Sequence, residues 1–300
     1  MRYRGYDEEL LRRIKDSEKD ILRKFILICE KYNLDYFVVF GTLLGTIRHE
    51  GFIPWDDDID VGMLRTDYEK FLEVAQKECG EEYFRQTRDT DPNYHLYFAK
   101  MRMNNTVFVE DSLQKTTGND GFYIDIFPYD VIPDDDIVMK KYMKKSVRLG
   151  MLLSISKVRE PQIGTYGKGK TMVLTLIWYV LHYTMKIFGK SKEVLWKTTK
   201  ASYAKYQNCD CKRLVTFSAN AEKWIIEKSE IQQLLNRKFE DVIVKVPRGY
   251  DSILKRCYGD YMQLPPEEQR SNHMPVKIKF RRENARILFG YFKQIGRAHV

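Results

Sequence analysis

The sequence predicts an α/β (α+β) protein, a mixed sheet with flanking helices followed by a helical region rich in lysine. Three observations carry this reading. A strongly amphipathic segment opens the chain, short apolar strands alternate with helical stretches to about residue 135, and Lys-rich helical sequence follows. With 300 residues and 43% hydrophobic side chains, the chain can build a core, which excludes wholesale disorder.

Residues 7–32 place Leu10, Leu11, Ile14, Ile21, Leu22, Phe25, Ile26 and Cys29 at three- and four-residue steps, the pattern of a half-buried helix, and Asn33 is expected to end it. DYFVVF (35–40) reads as a short buried strand broken by Gly41, TLLGTIRH (42–49) as a short helix or tight turn, and EGFIPWDD as a loop punctuated by Gly51 and Pro54. DIDVGM (58–63) alternates acidic and apolar residues, so a strand is expected with Asp58 and Asp60 on one face. Thr66-Asp67-Tyr68-Glu69 has the form of a capping box, predicting a helix from Thr66 to about Cys79. Strands are expected at 83–89, 94–103, 106–110 and 121–127, and in the last third a strand, a break at Pro247, a helix and a Pro265-Pro266 loop.

TMVLTLIWYVLHYTM (171–185) carries no formal charge and is flanked by Lys168, Lys170, Lys186 and Lys190. A spanning helix needs about 20 apolar residues, so two readings stay open here, a buried core helix and an interfacial helix on an anionic membrane. Charge is concentrated in this part of the chain. Ile137–Arg213 holds 17 Lys/Arg against 3 Asp/Glu, or +14, so the rest of the +9 chain sums to −5. Such a segment attracts phosphate in nucleic acid, lipid or glycan, or is simply a solvated helical surface. The five cysteines are odd in number and form no Cys-x-x-Cys pair, so neither a disulfide framework nor a structural zinc site is expected. The first 20 residues show no apolar signal core, and a cytoplasmic location is expected, with peripheral contact on the inner membrane face left open.

The densest chemistry lies in GFIPWDDDIDVGM (51–63), where Asp56, Asp57, Asp58 and Asp60 fall within five positions. Carboxylates two apart on a strand lie roughly 6–7 Å from each other, and at an effective dielectric of 20 they repel by roughly 2–3 kcal/mol. A hard divalent cation, Mg²⁺ or Mn²⁺, relieves that repulsion and completes its shell with substrate phosphate, which makes phosphoryl transfer the natural reaction class. A calcium EF-hand is excluded, because Val61 replaces the required glycine and Asp67 the terminal glutamate. YIDIFP (123–128) supplies a third carboxylate candidate, Asp125, directed opposite to Ile124 and Ile126. Gly41-Thr42 is expected to close the site, since a glycine after a buried strand lets backbone approach a ligand.

These residues closely resemble the signature of the LicD family, which includes bacterial choline phosphotransferases and fukutin-related proteins. The resemblance lies in GTLLGTIRHEGFIPWDDDIDVGM (41–63), FAKMRMNNT (98–106), YIDIFPYD (123–130) and KVPRGYDSILKRCYGDYMQLPPEEQRSNH (245–273), and is loose over 137–213. It implies a nucleotidyltransferase-like fold with three parts. These are a catalytic core at 1–135, a basic helical insertion at 136–213, and a segment at 214–285 that completes the active site. It also implies transfer of a phospho-alcohol, phosphocholine first, from a CDP-linked donor to a sugar hydroxyl of a teichoic acid, capsule or lipopolysaccharide precursor on a lipid carrier, with CMP released. Asp58, Asp60 and Asp125 are then the expected catalytic residues and metal ligands, with Asp125 helping to deprotonate the acceptor. Gly41, Thr42, Arg48, Lys100, Arg102, Tyr250, Arg270 and His273 are the expected substrate-binding residues, and Arg48, Lys100 and Arg102 among them are read as phosphate clamps. Trp55 is read as a core residue rather than a choline contact. The alternative is a nucleotidyltransferase that leaves NMP on its acceptor. No nucleic-acid motif is present, so no nucleic-acid partner is expected.

Overall fold

A computed structural model describes residues 5–94, 96–110, 118–157, 168–188, 192–217, 221–270 and 272–281. The fold is mixed α/β, as the sequence predicts.

Helix α1 (Glu8–Lys31) is capped by Asp7, whose side chain accepts from the Leu10 N–H at 3.0 Å, and it buries Ile14, Ile21, Leu22, Phe25, Ile28 and Cys29 against the sheet. Asn33 follows it at φ +52°, a conformation asparagine tolerates. β1 (Phe37–Val38) is shorter than expected, because Phe40 already starts α2 (Phe40–His49). Phe40 has φ +49°, uncommon for a bulky side chain. Its ring is held 4.9 Å from Phe127 and 4.3 Å from Trp224, so packing fixes the elbow that delivers Gly41.

β2 (Asp60–Leu64) leads into α3 (Arg65–Glu78). The expected capping box at Thr66–Glu69 does not form. The helix begins one residue earlier, without a side-chain cap, because Arg65 points its guanidinium at Asp130 (2.8 and 2.7 Å) and Glu69 turns to Arg65 (3.1 Å). β3 (Tyr83–Gln86), β4 (Ala99–Met103), β5 (Val107–Glu110) and β6 (Tyr123–Ile132) fall within or across the four expected strand windows. His95, inside the window at 94–103, lies outside the described residues.

β6 is the axis of the sheet. It runs parallel to β2 over Asp125–Tyr129 and antiparallel to β4 over Tyr123–Ile126, giving the order β1-β2-β6-β4-β3. Pro128 falls between the end of the β4 ladder and the start of the next one at Asp130, where a missing N–H breaks no pairing on that edge.

The Lys-rich region forms α4 (Asp136–Lys157), α5 (Lys168–Phe188) and α6 (Lys192–Tyr203). α5 is not a buried core helix: Met172 is 71% exposed and Leu176 64%. Its buried edge includes His182, whose Nδ1 lies 2.7 Å from the Ile155 carbonyl of α4. No described helix is long and apolar enough to cross a membrane. Cys209 and Cys211 are joined by a disulfide, a single local bridge where no disulfide framework was expected. Two residues apart, their Cα atoms lie 5.3 Å from each other in the turn after α6, within bridging range.

β7 (Arg213–Val215) returns the chain to the far end of β6 and pairs with β8 (Ile226–Glu227). After α7 (Lys228–Ile231), β9 (Leu234–Phe239) and β10 (Val242–Pro247) make a hairpin. Of the two strands only β10 was legible in the sequence. Its turn anchors the loop ahead of the acidic run: the Glu240 N–H donates to the Glu50 carbonyl (2.7 Å), and the Phe52 N–H donates to the Glu240 carboxylate (3.1 Å). α8 (Tyr250–Tyr258) and β11 (Pro275–Lys279), which pairs with β5, complete the described chain.

Candidate active site

A cleft of about 680 Å³ opens where α2, the start of β2 and the loop after α8 meet. Asp56, Asp58 and Asp60 line one side; Arg48, Arg270, His273, Trp55, Tyr258 and Tyr261 are among the residues lining the rest. The loop before β2 carries Asp56 and Asp58 to the sheet edge, and Asp60 is the first residue of β2. The backbone there is tied down twice. The Asp60 N–H donates to the Thr42 hydroxyl oxygen at 2.8 Å, and the Val39 N–H to the Asp60 carbonyl at 3.1 Å. Thr42 is therefore a buried anchor, while Gly41 faces the cleft. A Cβ on Gly41 would lie 2.7 Å from Asp56 Oδ2, so the glycine admits that carboxylate.

Burial, then mutual repulsion, sets the electrostatics. Asp56 and Asp60 are pushed well above the usual carboxylate range, by desolvation first and then by Asp58 and their other acidic neighbours. Asp58 is raised by burial, with His273 opposing. Asp125 stands opposite Asp60 in the parallel register of β2 and β6. Burial raises it too, and Lys100 opposes that rise.

Lys100 and Arg102, expected as phosphate clamps, do not reach the cleft. The Lys100 ammonium lies 2.7 Å from Asp125 Oδ1 and 3.3 Å from the Tyr123 ring centroid, and the residue is buried. Arg102 is buried as well, donating to Gln86 and to the Gly121 carbonyl at 2.5 Å each. Tyr250 heads α8 and is not among the lining residues. Arg48 and Arg270 do line the cleft. Arg48 donates to the Tyr261 carbonyl (2.7 Å), and the Arg270 guanidinium stacks on Trp55 at 4.2 Å.

His273, expected in the substrate-binding set, does line the cleft, while the parts played by Asp57 and Glu18 escaped the sequence reading. Asp57 points away from the cleft into the protein, where it accepts from the Tyr6 hydroxyl and from the His273 N–H at 3.0 Å. His273 sits between Asp57 (3.3 Å from Nδ1) and Asp58 (3.5 Å). Burial opposes its protonation, but these carboxylates and Glu110 outweigh that and raise it well above the ordinary histidine value. Glu18 on α1 is fully buried and held well above its usual range, by desolvation first and then by Asp58 and Asp57. A carboxylate on the apolar face of an amphipathic helix was the available signal for Glu18; for Asp57 it was the strand alternation that sets it apart from Asp56 and Asp58.

The donor set fits a hard divalent cation: clustered, buried carboxylate oxygens whose ionised forms repel one another. Among the described residues, ligating atoms of Asp57, Asp58 and His273 also lie within 4.8 Å of one another.

Residues 33–150 match the family model described as LicD/FKTN/FKRP, nucleotidyltransferase domain. The chain is 33% identical over 258 residues, 85% of its own length and 92% of the relative's, to the lipopolysaccharide cholinephosphotransferase LicD of Haemophilus influenzae. The chain belongs to the LicD family. Shorter stretches are 35% identical to uncharacterized proteins of Rickettsia typhi (24% of the chain and 26% of the relative) and Rickettsia prowazekii (22% and 27%).

Proposed function

We propose that the protein is a transferase that moves phosphocholine from a CDP-linked donor to a sugar hydroxyl of a lipid-anchored glycan, releasing CMP. The observation that carries this reading is the likeness to the Haemophilus influenzae cholinephosphotransferase over nearly the full length of both chains. The cleft supports it, since three carboxylates and two arginines line a space large enough for a nucleoside diphosphate ester.

In this reading Asp58 and Asp60 hold Mg²⁺ or Mn²⁺, with Asp56 beside them. The bound ion supplies charge neutralisation at the diphosphate. Arg48 and Arg270 bind the donor's phosphate oxygens, for which a planar guanidinium is well shaped. The acceptor oxygen attacks the phosphorus that bears choline, the bond to the bridging oxygen breaks, and that oxygen leaves with CMP. Asp125, oriented by Lys100 and with its pKa raised by burial, is the group assigned to take the acceptor proton. Thr42 and Gly41 hold the backbone against which Asp60 and Asp56 are set.

The test is CMP release from CDP-choline, CDP-ribitol and CDP-glycerol with Mg²⁺, with and without glycan acceptor, against Asp58→Ala/Asp60→Ala. Release from one donor, lost in the double variant, identifies reaction and alcohol. No release from any donor refutes the reading. An acceptor gaining the mass of an NMP establishes nucleotidyl transfer instead.

A further inference from the structure

We infer that α5, together with the exposed side of α4, is a membrane-docking surface that takes an anionic lipid bilayer. On α5 the residues Met172, Val173, Leu176, Ile177, Val180, Tyr183 and Ile187 are all exposed. At about 100° per residue they fall in one continuous arc of roughly 140°. Its only polar member is Thr184, and α5 contains no Asp or Glu. Lone apolar residues on a surface need no explanation, but a contiguous stripe along 16 residues of helix, Met172 to Ile187, marks an interaction site.

Charge says what that site meets. α5 packs on α4, whose solvent side carries Lys140, Lys141, Lys144, Lys145 and Arg148, all exposed, and apolar Val147 and Met151 between them. The only acid on α4, Asp136, is paired with Arg213 at 2.6 Å. A second copy of this chain would bring cationic arc against cationic arc, which like-charge repulsion disfavours. An anionic leaflet satisfies both features at once, with lipid headgroups for the lysines and the acyl boundary for the apolar stripe. The helix lies in the interface rather than crossing it, since no described helix is apolar enough to span. The surface involves α4 and α5 alone and does not depend on which donor the cleft takes.

The experiment is co-sedimentation of the full chain with vesicles of phosphatidylglycerol and phosphatidylcholine, with pure phosphatidylcholine vesicles beside them. The expected result is binding to the anionic vesicles that weakens with salt. Leu176→Asp/Val180→Asp should weaken it about 10-fold or more, and Lys144→Glu/Lys145→Glu should weaken it with a reduced salt dependence. Thermal melts of both variants should match the parent, since all four side chains are exposed. Absence of binding, binding unchanged in the Leu176→Asp/Val180→Asp variant, or equal binding to uncharged vesicles overturns the inference. So does a lipid-free dimer that Leu176→Asp/Val180→Asp abolishes, which would show that the stripe joins two copies.

Discussion

Lys100 stands opposite Asp125 in the β4–β6 ladder, and its ammonium lies 2.7 Å from the Asp125 carboxylate with both groups largely out of water. The pair connects the sheet interior to the acidic edge, because Asp125 is also the register partner of Asp60. A buried charge that loses its partner is costly. Lys100→Met should therefore destabilise the fold by about 3–5 kcal/mol, while Lys100→Met/Asp125→Leu should recover much of that loss. Denaturant unfolding of the two variants and the parent decides it. A Lys100→Met loss below about 1 kcal/mol would mean that the ammonium is a surface cation after all.

The cleft aspartates should show the opposite balance between stability and activity. Asp60 is buried and pushed up by desolvation, Asp58 and Asp125, so its ionised form is strained in the metal-free protein. Asp60→Asn should raise metal-free stability by about 0.5–2 kcal/mol, as removing strain from a functional site commonly does. It should also lower CMP release at least about 100-fold. Thermal melts in chelator, paired with the donor assay, measure both effects, and a variant that loses stability without losing turnover contradicts the assignment.

Part of this site was legible because residues 58–63 and the start of β6 read as short runs in which acids alternate with apolar residues, although β2 begins only at Asp60 and leaves Asp58 in the loop ahead of the expected strand face. Asp58, Asp60 and Asp125 were found that way, and Gly41 from its place after a buried strand. What pattern could not supply was burial. Lys100 and Arg102 look like any strand cations, and only the stacking of β3, β4 and β6 turns them inward to Asp125 and Gln86. β9 was missed because its centre, Asn236-Arg237-Lys238, is polar and exposed and breaks the apolar alternation, and β11 because its partner β5 is remote in sequence. On α5 the composition was plain and the environment was not, since an uncharged helix reads the same whether protein or something else covers it.

Stability without metal should fall as pH rises. Asp56, Asp58, Asp60, Asp125 and Glu18 all have raised pKa values in the folded state, so the native form binds more protons than the unfolded one above the ordinary carboxylate pKa of about 4. His273 acts in the same direction. Its raised pKa gives stability that is complete below about 6.5 and lost as pH rises through the folded value. Surface carboxylates with lowered values, such as Asp241 and Asp251, lose their stabilisation below about 4 and set the acid limb. Melting temperature in chelator should therefore peak in mild acid and decline toward pH 8. Mg²⁺ at about 100 times its Kd should restore about 2.7 kcal/mol at the alkaline end. A flat profile, or one unmoved by Mg²⁺, contradicts a cation held by these carboxylates.

Gly41 separates space from strain as its reason for being glycine. Its backbone is not in the left-handed region, and a Cβ would meet only the tip of the Asp56 side chain. Gly41→Ala should thus cost no more than about 1 kcal/mol, the mild end of overpacking, because the carboxylate can swing aside. The displaced carboxylate faces the cleft, so CMP release should drop about 10- to 100-fold with the melting temperature nearly unchanged. Unaltered turnover would show that the position of Asp56 does not matter to the reaction.

The last prediction concerns the inner side of the acidic run. Asp57 is buried and held by the Tyr6 hydroxyl and the His273 backbone N–H, and His273 in turn lies between Asp57 and Asp58. Tyr6→Phe removes one charged hydrogen bond and leaves the ring, so the direct cost should be about 1.5–3 kcal/mol of stability. Asp57→Asn keeps the shape but weakens the hold on the imidazole, and with it the placement of Asp58. If Asp57 and Tyr6 only brace the fold, both variants lose stability and keep their kinetic constants. If they position His273 beside the donor, Asp57→Asn should shift the pH profile of kcat/KM toward lower pH, because a carboxylate that favours the imidazolium has been neutralised, and Tyr6→Phe should shift it less. The pH profiles, measured at temperatures where both variants remain folded, distinguish the two roles.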